Sequence, residues 1–346
     1  MPALLEVEDL CVSYAVGGRT AQPLRAQAVH GATLHVPDGA TLGLVGESGC
    51  GKTTLARALM GVLPPNARVD GGAVRLNGVD LLSLPAAERR RKLWREVAFV
   101  PQTAMNALDP VYRLRDQMRE VLCGRGGMRR RDADARAAEL FRAVGLHPGR
   151  LRDYPHQFSG GMRQRASIAL ALALRPRLLL ADEPVTALDV VVQRQVLDLL
   201  RRLGAELGLA AVVVTHDISV VAYLCSLVAV MYAGRVVEYG PADTVLASPC
   251  HPYTMGLFNA FPDLDDDHPV LAPVEGGPPS LLDPPPGCPF APRCPFAEPA
   301  CTQAVPPPTT LEPGHWAACR RTGDAPALRA RAKDPATWQR PGQHQQ

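Results

Sequence analysis

The stretch Gly46-Glu47-Ser48-Gly49-Cys50-Gly51-Lys52-Thr53 decides the fold of this chain. It fits the pattern G-x-x-x-x-G-K-[ST], in which glycines let backbone N–H groups curl around phosphates. An apolar run at 40–45 precedes it and a helical pattern at 54–60 follows, which is the strand–loop–helix context that the pattern requires. The positive end of the helix favours an anion. A chance glycine-rich turn fits this context poorly, so the sequence predicts a nucleoside triphosphate site.

Side chains in and near this stretch have separate predicted tasks. Lys52 is expected to reach the β- and γ-phosphates, and the Thr53 hydroxyl is expected to help hold Mg²⁺. Thr54, the next residue, is included among the nucleotide-binding residues. Tyr14 is a candidate for stacking on a purine base, although an ordinary aromatic residue at a strand edge fits equally well.

Composition sets broad limits. A chain of 346 residues can hold about two domains. Its net charge of +3 is too small to indicate nucleic acid as a partner. The N-terminus lacks the apolar core of a secretory signal, and the longest uncharged run, 218–234, falls just short of a membrane span. We therefore expect a soluble protein that is able to dock on a membrane protein.

The order of patterns predicts an α/β fold. Alternating segments at 4–12, 27–36 and 73–82 predict an antiparallel β subdomain. Helical patterns dominate 103–172 and predict an inserted helical subdomain. Apolar strands then alternate with helices, which indicates a mostly parallel sheet covered on both faces. These strands are predicted at 178–182, 211–215 and 227–232.

The predicted core ends near residue 262. The segment 263–325 is rich in proline and cysteine, and its prolines argue against regular helix or sheet. The last residues, 326–346, are rich in alanine, arginine and glutamine, and we predict that they are disordered.

Two acids end the predicted strand at 178–182. Carboxylates at the C-terminal edge of a parallel strand point into the ligand crevice. Asp182 is placed to hold Mg²⁺, directly or through water, and Glu183 is placed to polarise the attacking water. A strand that ends in acids by chance is the alternative, and the phosphate-loop motif makes it the weaker one.

A second glycine-rich loop, Ser159-Gly160-Gly161, precedes a predicted helix at 164–173. Free N–H groups at a helix start make an anion site. A plain serine N-cap fits the spacing equally well. One nucleotide does not need two sites for its γ-phosphate in the same chain, so these residues alone leave the purpose of the loop open.

Taken in order, these motifs resemble those of the ATP-binding cassette (ABC) ATPases over residues 4 to about 260. The matching stretches are Gly46–Thr53, Gln102, the run 159–164 that ends in Gln164, Leu178–Glu183, 187–189 and 214–217. The resemblance implies a RecA-like core in which the loop at Ser159 closes over the γ-phosphate of ATP held by an opposite subunit. It also implies that Gln102 senses Mg²⁺ and the membrane partner, and that His216 contacts the γ-phosphate. Asp189 is then expected in the loop joining the two subunits, and Tyr14 becomes the adenine-stacking residue.

Three further stretches are similar to the oligopeptide/dipeptide-permease branch: 154–165, 251–254 and 287–295. The resemblance implies a peripheral ATPase on the cytoplasmic side of the cell membrane that powers the import of peptides. Its implied partners are a second ATPase subunit, favoured to be a paralogue, two transmembrane permeases and an extracytoplasmic binding protein. Alternatives are an importer of nickel or another small solute, and a non-transport ABC ATPase in DNA repair or translation. The latter usually carry two cassettes or a long coiled coil, and this sequence has neither.

Three positions depart from the pattern of the branch. Val185 follows Asp-Glu-Pro where threonine is usual, Val100-Pro101 stands before Gln102 where phenylalanine is usual, and Cys50 replaces a common serine. None removes a catalytic group. A thiol at a helix N-terminus can have a lowered pKa and be oxidisable, so Cys50 is a candidate redox residue, and a bland small residue is the alternative.

Four of the nine cysteines lie in the last sixty residues: Cys288, Cys294, Cys301 and Cys319. Four thiolates suit tetrahedral zinc or a [4Fe–4S] cluster, and free thiols remain open. The C-x-x-C pairs of zinc knuckles are absent from the sequence. The resemblance favours [4Fe–4S], because some members of the branch carry one there. A sensor of iron or redox state that gates the ATPase is a further hypothesis for this segment.

Overall fold

The computed structural model describes residues 3–17, 24–102, 107–259 and 274–339. The strands in chain order are β1 (Ala3–Val16), β2 (Leu24–Pro37), β3 (Thr41–Val45), β4 (Ala67–Leu76), β5 (Val79–Asp80), β6 (Val97–Val100), β7 (Leu178–Asp182), β8 (Ala210–Val214), β9 (Leu227–Tyr232), β10 (Arg235–Pro241), β11 (Thr309–Glu312) and β12 (His315–Ala317). The α-helices are α1 (Lys52–Leu59), α2 (Ala86–Lys92), α3 (Leu114–Arg119), α4 (Arg130–Ala143), α5 (Gly160–Ala171), α6 (Val190–Leu207), α7 (Ile218–Leu224), α8 (Ala242–Ala247), α9 (Pro252–Asn259) and α10 (Ala325–Ala332).

The chain forms two compact units that interleave along the sequence. The first comprises residues 1–5, 36–41 and 75–215, and the second comprises residues 6–35, 42–74 and 216–346. The boundary that the sequence predicts near 262 falls within 260–273, outside the described residues. The start of the predicted helical subdomain, at 103, likewise falls within 103–106, outside them.

The first unit contains a parallel ladder of β6, β7 and β8. Val97 pairs with Leu178, and Leu178 pairs with Ala210. Every residue of β7 is buried, which is why its sequence is a continuous apolar run that ends in an acid. Helices α3, α4 and α5 supply the predicted helical part of this unit. Their apolar faces are buried, as Leu140 and Phe141 of α4 show at 4% and 1% exposure.

The second unit contains two sheets. In one, the strands follow the order β2-β1-β4. In the other, β3 pairs in parallel with β9, and β9 pairs antiparallel with β10. The predicted strands and helices are confirmed within a few residues in both units. β10 was not predicted, because its sequence carries the charged residue Glu238, which proves to be fully buried.

The C-terminal segment corrects two predictions. It does form regular sheet, since β12 pairs antiparallel with both β10 and β11. Residues 326–339 are also ordered rather than disordered: α10 buries Leu328, and Trp338 is 5% exposed and donates from Nε1 to the Ala332 carbonyl oxygen at 2.8 Å. Burial of such apolar side chains stabilises this end of the chain by about 2 kcal/mol each. Residues 340–346 lie outside the described part.

No helix within the described ranges is both long enough and apolar enough to cross a membrane. The uncharged run at 218–234 forms the short helix α7 and the buried strand β9, as predicted.

Candidate functional site

The phosphate loop, Gly46–Thr53, connects the buried strand β3 to helix α1. Its backbone has φ of 147° at Gly46 and 107° at Gly51, in the left-handed region that side chains avoid. A Cβ atom would lie 2.1 Å from the Met231 carbonyl oxygen at Gly46, and 2.1 Å from the Ala28 carbonyl oxygen at Gly51. The shape of the loop therefore requires both glycines.

Lys52 lies inside the loop and is 8% exposed. Its Nζ donates to the Gly46 carbonyl oxygen at 2.7 Å and to the Glu47 carbonyl oxygen at 2.9 Å. The N-cap of α1 is Gly51, which has no side chain to accept from the N–H groups of the first turn. The loop thus combines an ammonium group with a helix N-terminus that no side chain caps, which suits a phosphate chain.

The interpretation of Cys50 as an oxidisable thiolate is wrong. Cys50 is 1% exposed, and burial raises the pKa of its thiol even though Lys52 opposes that shift. The Lys52 Nζ atom lies 3.8 Å from the Cys50 sulfur. Desolvation outweighs the Lys52 ammonium group, so Cys50 is a small packing residue.

Tyr14 lies on β1 and contacts the first turn of α1. Its hydroxyl oxygen is 3.1 Å from the Thr54 hydroxyl oxygen, and its side chain is half-buried. The structure thus brings both predicted nucleotide-binding residues to the phosphate loop.

In the first unit, the end of β7 carries the two predicted acids. Asp182 is 4% exposed. The backbone of Glu183 has φ of 47°, and its N–H donates to the Val214 carbonyl oxygen at 2.8 Å. A non-glycine residue in this conformation is strained, and such strain concentrates at functional sites.

The Glu183 carboxylate is held by two donors. Gln102 donates from Nε2 to Oε2 at 2.7 Å, and the Thr186 hydroxyl donates to the same oxygen at 2.9 Å. Gln102 was predicted as a site residue, whereas Thr186 was missed. Thr186 lies only three residues after Glu183, so its closeness in sequence could have indicated it. The two donors fix the orientation of a carboxylate that is able to accept a proton from water.

The glycine-rich loop at Ser159 is also a helix start. Ser159 is the N-cap of α5, and its hydroxyl accepts from the Met162 N–H at 3.3 Å. Gly161 packs against α6, since a Cβ there would lie 2.3 Å from Val192 Cγ1. Gln164 is 5% exposed, and its Nε2 has no hydrogen-bond partner among the described residues. Ser159 therefore acts as a helix N-cap, as one of the two interpretations held. The loop also keeps donor groups that are able to bind a ligand.

Two further predicted residues begin helices or precede them. Asp189 is the N-cap of α6, and its carboxylate accepts from the Val192 N–H at 2.9 Å. His216 is exposed and stands immediately before Asp217, the N-cap of α7. His216 follows strand β8 and Asp189 follows strand β7 along the chain.

The four predicted cysteines converge in the second unit. Cys288, Cys294, Cys301 and Cys319 line one cavity, together with Phe290, Phe296 and His251. The Cys288 N–H donates to the Cys301 carbonyl oxygen at 2.7 Å. Burial raises the pKa of Cys294 to about 12 and that of Cys319 to about 11. Without a cation, these thiols stay protonated at neutral pH.

The positions of the four sulfurs bear on the zinc interpretation. Tetrahedral zinc at Zn–S distances near 2.3 Å needs sulfurs about 3.8 Å apart. Within the described residues, no three of these sulfurs lie within 4.8 Å of one another. A [4Fe–4S] cluster binds each cysteine to a different iron and tolerates wider spacing. The four sulfurs therefore do not form a ready tetrahedral zinc site within the described residues.

A different group does place three metal-type ligands within 4.8 Å: Glu238, Cys250 and His315. The Glu238 carboxylate already accepts from the N–H groups of Cys250 at 2.8 Å and His251 at 2.9 Å, and it pairs with His315 Nε2 at 3.1 Å. An Arg329 guanidinium nitrogen lies 3.8 Å from the Cys250 sulfur. The Glu238 carboxylate thus already has hydrogen-bond partners, and the Arg329 guanidinium lies beside the Cys250 thiol. This group is therefore a structural network that stabilises the buried charge of Glu238.

Comparisons with known families agree with this geometry. The family model described as "ABC transporter" matches residues 29–186, and the model described as "Oligopeptide/dipeptide transporter, C-terminal region" matches residues 237–301.

Curated relatives match nearly the whole chain. The oligopeptide transport ATP-binding protein OppD of Salmonella typhimurium is 44% identical over 318 residues, which cover 91% of this chain and 93% of the relative. The dipeptide transport ATP-binding protein DppD of Bacillus subtilis is 40% identical over 322 residues, 92% of this chain and 95% of the relative. Among solved structures, the ATP-binding cassette MJ0796, a dimer in a post-hydrolysis state bound to ADP and Pi, has a TM-score of 0.61 and 26% identity, covering 69% of this chain and 98% of that one.

Fold, site and comparisons define this chain as an ABC ATPase with a RecA-like P-loop core. Within that class it belongs to the family of oligopeptide/dipeptide-permease ATP-binding subunits. The predicted α/β fold with a RecA-like P-loop ATPase core and the predicted family are confirmed.

Proposed function

We propose that this chain is the ATP-hydrolysing subunit of an ABC importer that carries peptides across the cytoplasmic membrane. The names of its relatives and the family model at residues 237–301 support peptides as the transported class. The subunit works at the cytoplasmic side of the membrane with a second ATPase subunit, two permeases and an extracytoplasmic binding protein. The ATPase domain ends near residue 262, and the remainder of the chain is an extension.

The phosphate loop binds the triphosphate in this proposal. Its backbone N–H groups and Lys52 neutralise the β- and γ-phosphates, and Tyr14 stacks on the adenine beside Thr54. Thr53 and Asp182 are the residues that would hold Mg²⁺, which neutralises charge on the phosphates when it is bound. The buried Lys52 ammonium and the helix start at Gly51 support this assignment.

The observation that carries the hydrolytic role is the Glu183 carboxylate, fixed by Gln102 and Thr186 at the end of β7. It accepts a proton from water as that water attacks the γ-phosphorus in line with the leaving oxygen. His216 contacts the γ-phosphate, and Gln102 links the carboxylate to the membrane partner. Each role is taken from the motif that the residue occupies.

The loop from Ser159 to Gln164 contacts ATP held by the opposite subunit, and Asp189 lies in the joining loop. Val190 and Val191 support this arrangement, because they follow Asp189 with 79% and 67% of their surface exposed. Exposed valines at a helix start are suited to an interface. The unpaired Nε2 of Gln164 adds a buried donor to the same loop.

A groove in the first unit supports docking of a permease. It is lined by Trp94, Tyr112, Asp116, Glu120 and Arg125, among others. Tyr112 is 58% exposed, and the neighbouring Val111 is 70% exposed. Apolar residues exposed beside acidic ones suit an amphipathic helix of a partner that carries basic residues.

The four cysteines of the extension hold a [4Fe–4S] cluster in this proposal. Their common cavity supports it, and the four half-buried cysteines are close enough to line that cavity together. Iron, when bound, would stabilise the thiolates of Cys288, Cys294 and Cys319, whose pKa values burial raises.

The proposal is tested with Glu183→Gln, which keeps the size of the side chain and its contact with Thr186 while removing the base. We expect ATP binding within about twofold of the wild type and steady-state hydrolysis lowered by about 10² to 10⁴-fold in the assembled importer. Glu206→Gln, an exposed acid of the same unit, is the matched control. Near-normal hydrolysis by Glu183→Gln would remove Glu183 from its role.

A further inference from the structure

Glu47, a residue of the phosphate loop, forms hydrogen bonds through its N–H, its carbonyl oxygen and its carboxylate. The Glu47 N–H donates to the Tyr253 hydroxyl at 2.8 Å, and its carbonyl oxygen accepts from Lys52 Nζ at 2.9 Å. Its carboxylate Oε2 accepts from Arg293 Nη1 at 2.8 Å. Two of these three partners, Tyr253 and Arg293, lie more than 200 residues further along the chain.

Arg293 is buried, and each nitrogen of its guanidinium group is hydrogen-bonded. Its side chain is 4% exposed. Nη1 also donates to the Tyr232 hydroxyl at 3.2 Å, Nη2 donates to the Val274 carbonyl oxygen at 2.9 Å, and Nε donates to the Glu275 carbonyl oxygen at 3.0 Å. A buried guanidinium with every nitrogen paired has one geometry, so it fixes its carboxylate partner in one geometry.

Arg293 belongs to the segment that carries the cysteines. It ends the 3₁₀ helix Ala291–Arg293 and directly precedes Cys294. On the other side, Phe290 packs edge-on against Tyr232 at 5.2 Å and against Tyr253 at 5.4 Å between ring centroids. The segment between Cys288 and Cys294 therefore reaches Glu47 by two routes: the guanidinium of Arg293 and the aromatic contact with Tyr253.

We propose that Arg293 is a positioning residue of the nucleotide site, through which the four-cysteine segment holds the phosphate loop in the shape that binds ATP. This inference rests on the proposed function. Arg293 acts through the carboxylate of Glu47. The Glu47 carbonyl oxygen accepts from Lys52 Nζ. A shift of Glu47 therefore displaces the ammonium group and the neighbouring N–H groups of the loop.

The first experiment measures the affinity of the full-length chain for ATP with a fluorescent methylanthraniloyl-ATP probe, in the absence of turnover. Arg293→Met and Glu47→Gln are each expected to weaken binding about tenfold, and the double variant is expected to be no weaker than either single one. In the assembled importer, KM for ATP should rise while kcat changes less than twofold. Arg329→Met is the matched control, because that half-buried arginine contacts Pro249 rather than the loop.

Two results would overturn the positioning role: unchanged ATP affinity in folded Arg293→Met, or losses from the two single variants that add fully in the double variant. Thermal unfolding and iron content of each variant show that the fold and the cysteine site are intact. Arg293→Lys keeps the positive charge but lacks the planar guanidinium group, so it should restore only part of the affinity for ATP. A wild-type chain that binds no ATP would instead defeat the proposed function itself.

A second experiment tests the link to the cysteines. Cys294→Ser is expected to weaken ATP binding by about threefold to tenfold when Arg293 is present, and to add little in the Arg293→Met background. An equal effect of Cys294→Ser in both backgrounds would contradict transmission through Arg293. No effect in the wild-type background would contradict control of the loop by the cysteine segment.

Discussion

The phosphate loop and the cysteine site differ in the part of the chain that forms them: backbone in the loop, side chains in the cysteine site. The loop is eight consecutive residues whose backbone, fixed by Gly46 and Gly51, forms most of the site. The cysteine site gathers side chains from 288 to 319 around one cavity and depends on the packing of the extension. A site formed by the backbone is thus fixed by a few glycines. A site formed by side chains depends on every loop that carries one of those side chains.

The largest expected effect falls on the backbone site. Gly46→Ala places a Cβ 2.1 Å from a carbonyl oxygen in a strained conformation, so the loop has to move. We expect ATP affinity to fall by about 100-fold or more, measured by equilibrium nucleotide binding. Gly49→Ala is the control, because φ there is also positive, at 79°, but a Cβ meets nothing within 4 Å. Equal losses in the two variants would show that space around the loop is not what the glycines provide.

The cysteine site should respond to loss of one ligand in a different way. Cys294→Ser is expected to lower bound iron to well below half of the wild-type content, and to destabilise the extension by about 2 kcal/mol or more. Iron analysis and visible absorbance of protein purified without oxygen measure the first effect, and thermal unfolding measures the second. Cys123→Ser, outside the cavity, is the control. A colourless wild-type protein without iron would refute the cluster.

The smallest expected effect lies where the two sites meet. His251 lines the cysteine cavity, and its Nδ1 accepts from the N–H of Tyr253, the residue that holds Glu47. Burial lowers the pKa of His251 to about 3, so the unfolded chain binds a proton that the folded chain does not as pH falls below about 6.5. Stability should therefore fall by about 1.4 kcal/mol per pH unit between pH 6 and pH 4 from this group.

Urea unfolding at pH 7 and pH 5 measures this effect. His251→Gln, which is able to accept the same hydrogen bond without titrating, should show a smaller loss of stability over that interval. An identical pH dependence in the two proteins would show that His251 is not the group responsible.

The same contrast explains what the sequence allowed us to predict. The strands β7, β8 and β9 are continuous apolar runs, and the nucleotide residues stand in local motifs, so both were predicted. β10 was missed because Glu238 interrupts its apolar pattern, and its burial depends on donors from Cys250, His251 and His315. β12 and α10 were missed because their burial depends on partners far along the chain.

Two residues of the site were missed, Thr186 and Arg293, and Arg293 acts at long range. Thr186 stood close enough to Glu183 to be noticed, but Arg293 lies 246 residues from Glu47. No local pattern marks an arginine that reaches back to a loop at the other end of the sequence. The packing of Phe290 against Tyr232 and Tyr253 and the hydrogen bonds of the guanidinium group place it there.

The central claim is that this chain hydrolyses ATP to power the import of peptides. Its most direct test is uptake of a radiolabelled tripeptide by cells of the source organism that lack this chain, complemented with wild type, Glu183→Gln or Glu206→Gln. We expect background uptake in the deletion and with Glu183→Gln, and full uptake with wild type and with Glu206→Gln. Peptide uptake that is unchanged by the deletion, or restored by Glu183→Gln, would contradict it.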